Sequence, residues 1–404
     1  MTDTSLANSN PHLQPELSSA GSSPAWLAVA ALALSTFTSV TTEFIPVGLL
    51  TNIASSLNVS EGAAGLMITM PGLVAAATGP LLIILAGRMD RRIVLLMLSA
   101  LLVLSNVFAA MAPNLATMLA ARVLLGLCVG GFWTFAPSAT GHLVPAALQP
   151  RAMSYILAGI SVATIAGVPA GALLGEIAGW RMTFFAIAAM ALVVLVLQLF
   201  TLPAMPAERA TKVRELTVPF TRPLARMCLI VTLLLVAGHF GTYTYLKPIL
   251  QQIYGVTSES VTTLLLIYGV AGFVGTFVGG RLVSHSVRAT ALLAVVMIGA
   301  VLMLSALGAT GVTEGAIAAL VWGAAFGLIP VALTTWMLKA LPDSPEAGQA
   351  VLVSVFQIGI SLGAFVGGFV LDAYSIVSVL LLGGTLLILA ALLIAATRSR
   401  STQP

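Results

Sequence analysis

Charge is what this chain has least of. Of its 404 residues only 7% are Asp, Glu, Lys or Arg, against about 25% in ordinary soluble domains. A chain of this length folding in water would form two or three domains and need charge to cover each of them. That covering is missing, so a water-soluble fold is excluded. Cysteine is scarce too. Cys128 and Cys228 are the only two; they form no CxxC pair and no disulfide framework, and both read as buried apolar thiols. There is no GxxxxGK[ST] loop to cradle a nucleotide phosphate, no HExxH and no Cys/His cluster. Neither cofactor nor metal is expected, and no enzyme activity; work done by this chain would draw on an ion gradient rather than on ATP. The net charge of +4 comes from basic residues in short loops, so nucleic acid is not an expected partner. The opening MTDTSLANSNPHLQPELSSAGSSP has no Lys or Arg and therefore no n-region of a cleaved signal. Its Ser, Asn and Pro content predicts a disordered cytoplasmic tail over 1–24.

What is abundant is apolar sequence, at 59%, together with 37 glycines, as where membrane helices pack closely. A span needs about 20 apolar residues. Twelve such segments stand near 25–50, 62–86, 92–112, 115–143, 151–176, 181–202, 224–250, 259–283, 289–309, 313–338, 347–372 and 375–397. With the N-terminus in the cytoplasm, Arg88, Arg91, Arg92, Arg151, Arg209, Lys212, Arg214, Arg222, Arg226, Arg281, Arg288, Lys339, Arg398 and Arg400 all face that side, leaving Arg181 and Lys247 outside. The longest polar interruption follows the sixth span. The expected fold is therefore an all-α membrane protein with about 12 transmembrane helices in two six-helix bundles (25–202 and 224–397). A cytoplasmic linker (203–223) joins them, a short tail (398–404) follows, and both termini are cytoplasmic. The halves echo each other. AGRMDRR after the second span has a counterpart in GGRLVSHSVR after the eighth, and IAGVPAGALLG of the fifth in SLGAFVGGFVL of the eleventh. Gly167 and Gly171 correspond to Gly363 and Gly367, which points to duplication of a six-span unit. These small-residue faces suit helices that rock, and equally static packing.

Several residues break the membrane rule. Glu43 stands in TTEFIPVGLL (41–50) of the first span, where a carboxylate at the span centre costs about 2.5–3.5 kcal/mol. Ser35, Ser39 and Glu43 repeat every fourth residue and share one face. An acid held out of water there can exchange a proton near neutral pH; the alternative is a carboxylate that snorkels into water at the interface. Pro46 has no N–H for the Thr42 carbonyl, so a kink and a free acceptor are expected beside the acid. Arg122 of the fourth span either pairs with a carboxylate or holds a helix carbonyl, or else snorkels. His239 and Tyr243 of the seventh span share a face and could bind a polar cargo; His239 could instead carry a proton or bond a neighbouring carbonyl. Gln357 of the eleventh lies with Ser354 and Ser361. Trp133 and Phe132, and Trp322, offer aromatic walls, though packing is the commoner role. Trp26, Trp180 and Trp336 at span ends read as interface anchors. The candidates are thus Glu43 for the proton and Ser39, Thr42, Trp133, His239, Tyr243 and Gln357 for cargo.

With these residues in place, the chain over roughly 25–397 resembles the major facilitator superfamily, in its twelve-span drug:proton antiporter branch. TTEFIPVGLL, GWRMTFFAI (179–187) and GHFGTYTYLKPIL (238–250) are similar to bacterial sugar efflux and arabinose-type exporters. Gly87, Arg88, Asp90, Arg91 and Arg92 resemble a shortened form of the family's gating-loop motif, its acidic residue displaced. Arg122 with Gly126 and Gly130 resembles the span-four motif, whose arginine is implicated in proton transfer. Gly159, Gly167, Pro169 and Gly171 resemble the span-five antiporter motif, with Val168 where Gly is usual. The resemblance implies alternating access in a bacterial inner membrane, with protons exchanged for a small molecule across the lipid bilayer; a monomer is expected, because each six-helix half can bury its polar face against the other. Sugars or related metabolites are the first expectation. A multidrug exporter, and a receptor or scaffold without flux, are the alternatives.

Overall fold

A computed structural model describes residues 23–87, 89–206, 217–308 and 311–396. The N-terminal tail up to residue 22, Arg88, the middle of the linker (207–216) and the C-terminal tail lie outside the described residues. Among the described residues, twelve helices are long and apolar enough to cross a membrane. Spans one to four are Ser23–Leu57, Glu61–Ala86, Arg91–Ala110 and Leu115–Leu143. Span five runs through Gln149–Val162, Ala163–Gly167 and Val168–Ala178, and span six is Trp180–Thr201. Span seven is Pro223–Tyr243, followed by a short helix Leu246–Gln252. Spans eight to twelve are Ser258–His285, Val287–Ala306, Val312–Ala340, Pro345–Ala373 and Ile376–Ala396. Polar side chains cap the loop ends: Ser60, Asp90, Asn114 and Ser286 each accept from the first turn of the helix they open.

Each half repeats one packing scheme. Span one lies on five and six as seven lies on eleven and twelve; two lies on four as eight on ten, and three on six as nine on twelve. The halves meet along two pairs, two with eleven and five with eight. The repeat extends to the glycines. Gly167, Gly171 and Gly175 sit over Thr41, Ile45 and Leu49 of span one, while Gly359, Gly363 and Gly367 sit over Val236, Ala237 and Gly241 of span seven. The two faces differ in what lies opposite. A methyl group on Gly171 would meet the flexible Ile45 side chain, but one on Gly367 would meet the Gly241 backbone carbonyl. Gly367→Ala is therefore expected to cost about 2–3 kcal/mol and Gly171→Ala about 1 kcal/mol. Thermal unfolding of the two variants in detergent tests the order; equal losses would contradict it.

Pro46 lies inside the helix of span one. Other local features depart from the expectations. Span five widens into a π-helical turn over Ala163–Gly167, with the Val168 N–H reaching the Ala163 carbonyl. Pro169 gives no N–H to the turn before it, so the ladder re-forms with a wider step. There Gly269 of span eight closes on the Thr164 carbonyl. Span seven does not continue to residue 250: its helix stops at Tyr243 and restarts at Leu246. Pro248 cannot bond the Thr244 carbonyl, so the break falls where a bond is already missing. Trp180 and Trp336 are not interface anchors; both are buried between helices at 4% and 6% exposure. Trp26 is half-buried, with the Arg151 guanidinium 5.6 Å above its ring.

Candidate functional site

Glu43 is 4% exposed and Arg122 is fully buried, so neither snorkels. They do not form an ion pair either; among the described residues the ion pairs are Lys247–Glu176 and Arg222–Asp343. Arg122 Nη1 donates instead to the Thr42 carbonyl at 2.8 Å. This is the carbonyl that Pro46 leaves without its helical partner. The guanidinium also lies over the Phe184 ring of span six, 4.9 Å from its centroid. Its Nε and Nη2 have no partner. Thr42 is fully engaged inside this half: its hydroxyl donates to Thr38 and accepts from Asn106 Nδ2. Ser39 contacts Cys128 of span four. Both support the wall behind Arg122, contrary to the expectation that they present hydroxyls to a cargo.

Across from this wall the C-terminal half supplies aromatic rings. Phe44, next to Glu43, stacks on Phe240 of span seven at 5.5 Å. His239 is fully buried and lies flat against Phe326 of span ten at 4.2 Å and against Tyr243 at 5.3 Å, which in turn stacks on Tyr268 of span eight at 5.0 Å. Trp322 donates from Nε1 to His239 Nδ1 at 3.0 Å. An indole N–H only donates, so Nδ1 must be bare and the neutral ring carries its proton on Nε2. That N–H has no partner, nor have Tyr268 Oη and Gln357 Oε1. A buried polar atom left unpaired costs about 1–3 kcal/mol, and three such atoms lie around one aromatic cluster. His239 is thus a fixed donor rather than a partner of a helix carbonyl. Gln357 links the two walls: its Nε2 donates to Glu43 Oε1 at 3.4 Å. Trp133 stands apart. It contacts Phe132 and the apolar cluster of the N-terminal half, about 16 Å along the helix from Arg122.

Comparison with known proteins agrees with this geometry. The family model described as Major Facilitator Superfamily matches residues 32–363. The chain belongs to the major facilitator superfamily. It is 34% identical over 379 residues to the purine ribonucleoside efflux pump NepI of Salmonella paratyphi B and to that of Salmonella typhimurium, covering 92% of this chain and 94% of theirs. Two solved structures share its fold at 15% identity. One is a bacterial homolog of the human lysosomal transporter Spinster, inward-facing and unoccupied, with a TM-score of 0.73 over 93% of this chain and 96% of that one. The other is the nucleoside transporter NupG, with a TM-score of 0.74 over 92% and 99%. As a major facilitator, the chain is a secondary transporter and not an enzyme.

In a major facilitator the contacts between halves matter most, and among the described residues the hydrogen bonds that join them are concentrated at the end away from the termini. Lys247, 1% exposed, donates to Glu176 Oε1 at 2.6 Å and to Asn52 Oδ1 at 2.7 Å. Asp372 accepts from Ser60 Oγ at 2.5 Å and from the Gly62 N–H at 3.1 Å, a carboxylate placed at the positive start of span two. Lys247 was legible only as an outer charge; Asn52, Glu176 and Asp372 carried no signal beyond being polar residues at span ends. At the opposite end a cleft of about 550 Å³ opens beside spans one and five, lined by Trp26, Ala33, Phe37, Tyr155 and Val162. Lys247→Met is expected to weaken the closed end by about 2 kcal/mol, a shift of roughly thirtyfold in population. Spin labels placed on spans one and seven beyond the latch would read it as a longer distance; an unchanged distance distribution would sink the idea.

The loop after span two is self-contained. Gly87 adopts φ 41°. Asp90 accepts from the N–H groups of Arg92 and Met205 at 2.8 and 2.9 Å, so the displaced acidic residue caps a helix and makes no ion pair. Arg91 covers the Phe135 ring, and Arg92 donates to the Leu199 carbonyl at 2.8 Å. These partners belong to the N-terminal half, except Met205 at the start of the linker.

Proposed function

We propose that this transporter exports purine ribonucleosides in exchange for protons, as a monomer in the bacterial inner membrane with both termini in the cytoplasm. The observation that carries the reading is the Gln357–Glu43 bridge beside the aromatic cluster, which sets a buried mid-membrane carboxylate against a wall suited to a flat ring. The cargo class draws on the relatives at 34% identity, named for purine ribonucleoside efflux. A ribonucleoside keeps the polar sugar expected from the sequence and adds a base that explains the rings. In this orientation the Lys247 latch closes the outer end and the cleft at spans one and five opens inward. Cargo enters while Glu43 is ionised. Rocking of the halves exposes it outside, a proton occupies Glu43, and the cargo leaves.

The test is proton movement in sealed liposomes containing the purified chain, on addition of guanosine, adenosine, arabinose or an amphipathic cation. Proton flux triggered by the nucleosides alone supports the reading. Flux with arabinose alone would return the cargo to simple sugars. Flux with the cation would favour drug export, the reading to which the apolar lining of the cleft lends weight.

A further inference from the structure

Among the described residues, the mid-membrane hydrogen bond between the halves runs through a side-chain amide, and an amide has two unlike ends. Gln357 Nε2 faces Glu43 Oε1 at 3.4 Å, while its own Oε1 is buried without a donor. The backbone beneath is anchored, since Ser361 Oγ donates to the Gln357 carbonyl at 2.9 Å. Few other groups can intervene. Span four presents Arg122, whose Nη1 is held by the Thr42 carbonyl while its Nε and Nη2 have no partner, and Cys128, in contact with Ser39. Span three presents Asn106, bonded to Thr42. Span seven presents Phe240 toward Phe44, with His239 bonded to Trp322 behind it. Span two brings Gly72 against Ser361 and the Gln357 carbonyl. Lys247, Glu176 and Asp372 are occupied at the far end.

A carboxylate can only accept hydrogen bonds, so an ionised Glu43 holds Nε2 toward itself and leaves Oε1 facing away as an acceptor. A protonated Glu43 keeps an oxygen that can accept but gains an O–H to donate, and the unpartnered Gln357 Oε1 is the acceptor at hand for it. The amide then turns half a circle about its last bond, a soft torsion with two nearly equal orientations. We propose that Gln357 couples the proton to the cargo: protonation of Glu43 turns its carboxamide and changes the cargo-facing atom from acceptor to donor. The inference rests on the proton-coupled nucleoside reading above. The only covalent change is the proton itself, which passes from water to a Glu43 carboxylate oxygen.

The chemistry of the cargo follows. An N–H on the base is held by Oε1 while Glu43 is ionised and confronts an N–H once it is protonated. A ribose hydroxyl both donates and accepts and adapts to either orientation. Amine- or amide-bearing purines are therefore expelled by the proton, and an unsubstituted purine ribonucleoside senses it far less.

The experiment is equilibrium binding of guanosine and of the unsubstituted purine ribonucleoside to the purified full chain in nanodiscs, from mildly alkaline to mildly acidic pH. The wild type, Glu43→Gln, Gln357→Met and Gln357→Asn are compared. Guanosine affinity of the wild type should fall at least about tenfold on acidification, as for one lost buried hydrogen bond. Glu43→Gln should bind without pH dependence. Gln357→Met, which keeps the length, and Gln357→Asn, which keeps the amide but falls short of Glu43, should bind more weakly and without pH dependence. A wild-type slope retained in both Gln357 variants, with Glu43→Gln flat, would overturn this inference and leave the proton site standing. A slope retained in Glu43→Gln would overturn the proton site. No binding of any purine ribonucleoside to the wild type would overturn the cargo reading and this inference with it.

Discussion

Glu43→Gln should leave exchange of labelled for unlabelled nucleoside across liposomes close to wild type and abolish accumulation against a gradient. The substitution keeps the shape of the side chain, and an amide at position 43 can still bond Gln357 in either orientation. It removes the carboxylate that, among the described residues, is buried at the junction of the halves. With one proton exchanged per cargo, each pH unit across the membrane is worth 1.36 kcal/mol, a factor of ten. A step of two units therefore drives the wild type to about a hundredfold gradient, whereas the variant stops at one. Accumulation by Glu43→Gln that still followed the pH step would place the coupling elsewhere.

Arg122→Met is expected to give the largest loss of stability, about 3 kcal/mol. It leaves the Thr42 carbonyl unpaired, and a buried unpaired acceptor costs about 1–3 kcal/mol. It also removes the contact with Phe184. Position 46 supplies the control. Pro46→Ala restores an N–H aimed at the same carbonyl, so the double variant should regain about 1 kcal/mol relative to Arg122→Met, while transport stays lost because the cation is gone. A double-mutant cycle on thermal unfolding reads the coupling directly. Strict additivity of the two substitutions would show that proline and arginine do not share that acceptor.

How far the sequence reached can be argued from the same residues. The spans were legible because each must be a long apolar run to cross a bilayer, and Glu43, Arg122 and His239 stood out because polar atoms are costly there. Pro46 made the free carbonyl at Thr42 foreseeable. What could not be read was who would take it, since Arg122 lies on another helix and nothing local ties the two. The aromatic cluster was legible only in part. Tyr243 and Trp322 were candidates, but Tyr268 and Phe326 were not, because the members come from three spans and each of those two alone is an ordinary packing residue. The latch was missed because Asn52 and Glu176 at span ends look like any residues facing water. The π turn of span five has no periodicity to betray it within five residues.

The bond between Arg122 and the Thr42 carbonyl has an electrical consequence. A guanidinium held by a neutral carbonyl keeps its charge whether or not Glu43 is protonated. On the proposed reading the buried pair is then neutral when cargo is aboard and carries one positive charge when the proton is. The loaded passage outward moves no net charge through the membrane field. The return passage moves one, and a negative interior favours it by up to about 2.3 kcal/mol per 100 mV. Voltage thus acts on half of the cycle only. The turnover of this transporter should rise with membrane potential while the empty return is slow, and level off once the silent, cargo-bearing passage sets the pace.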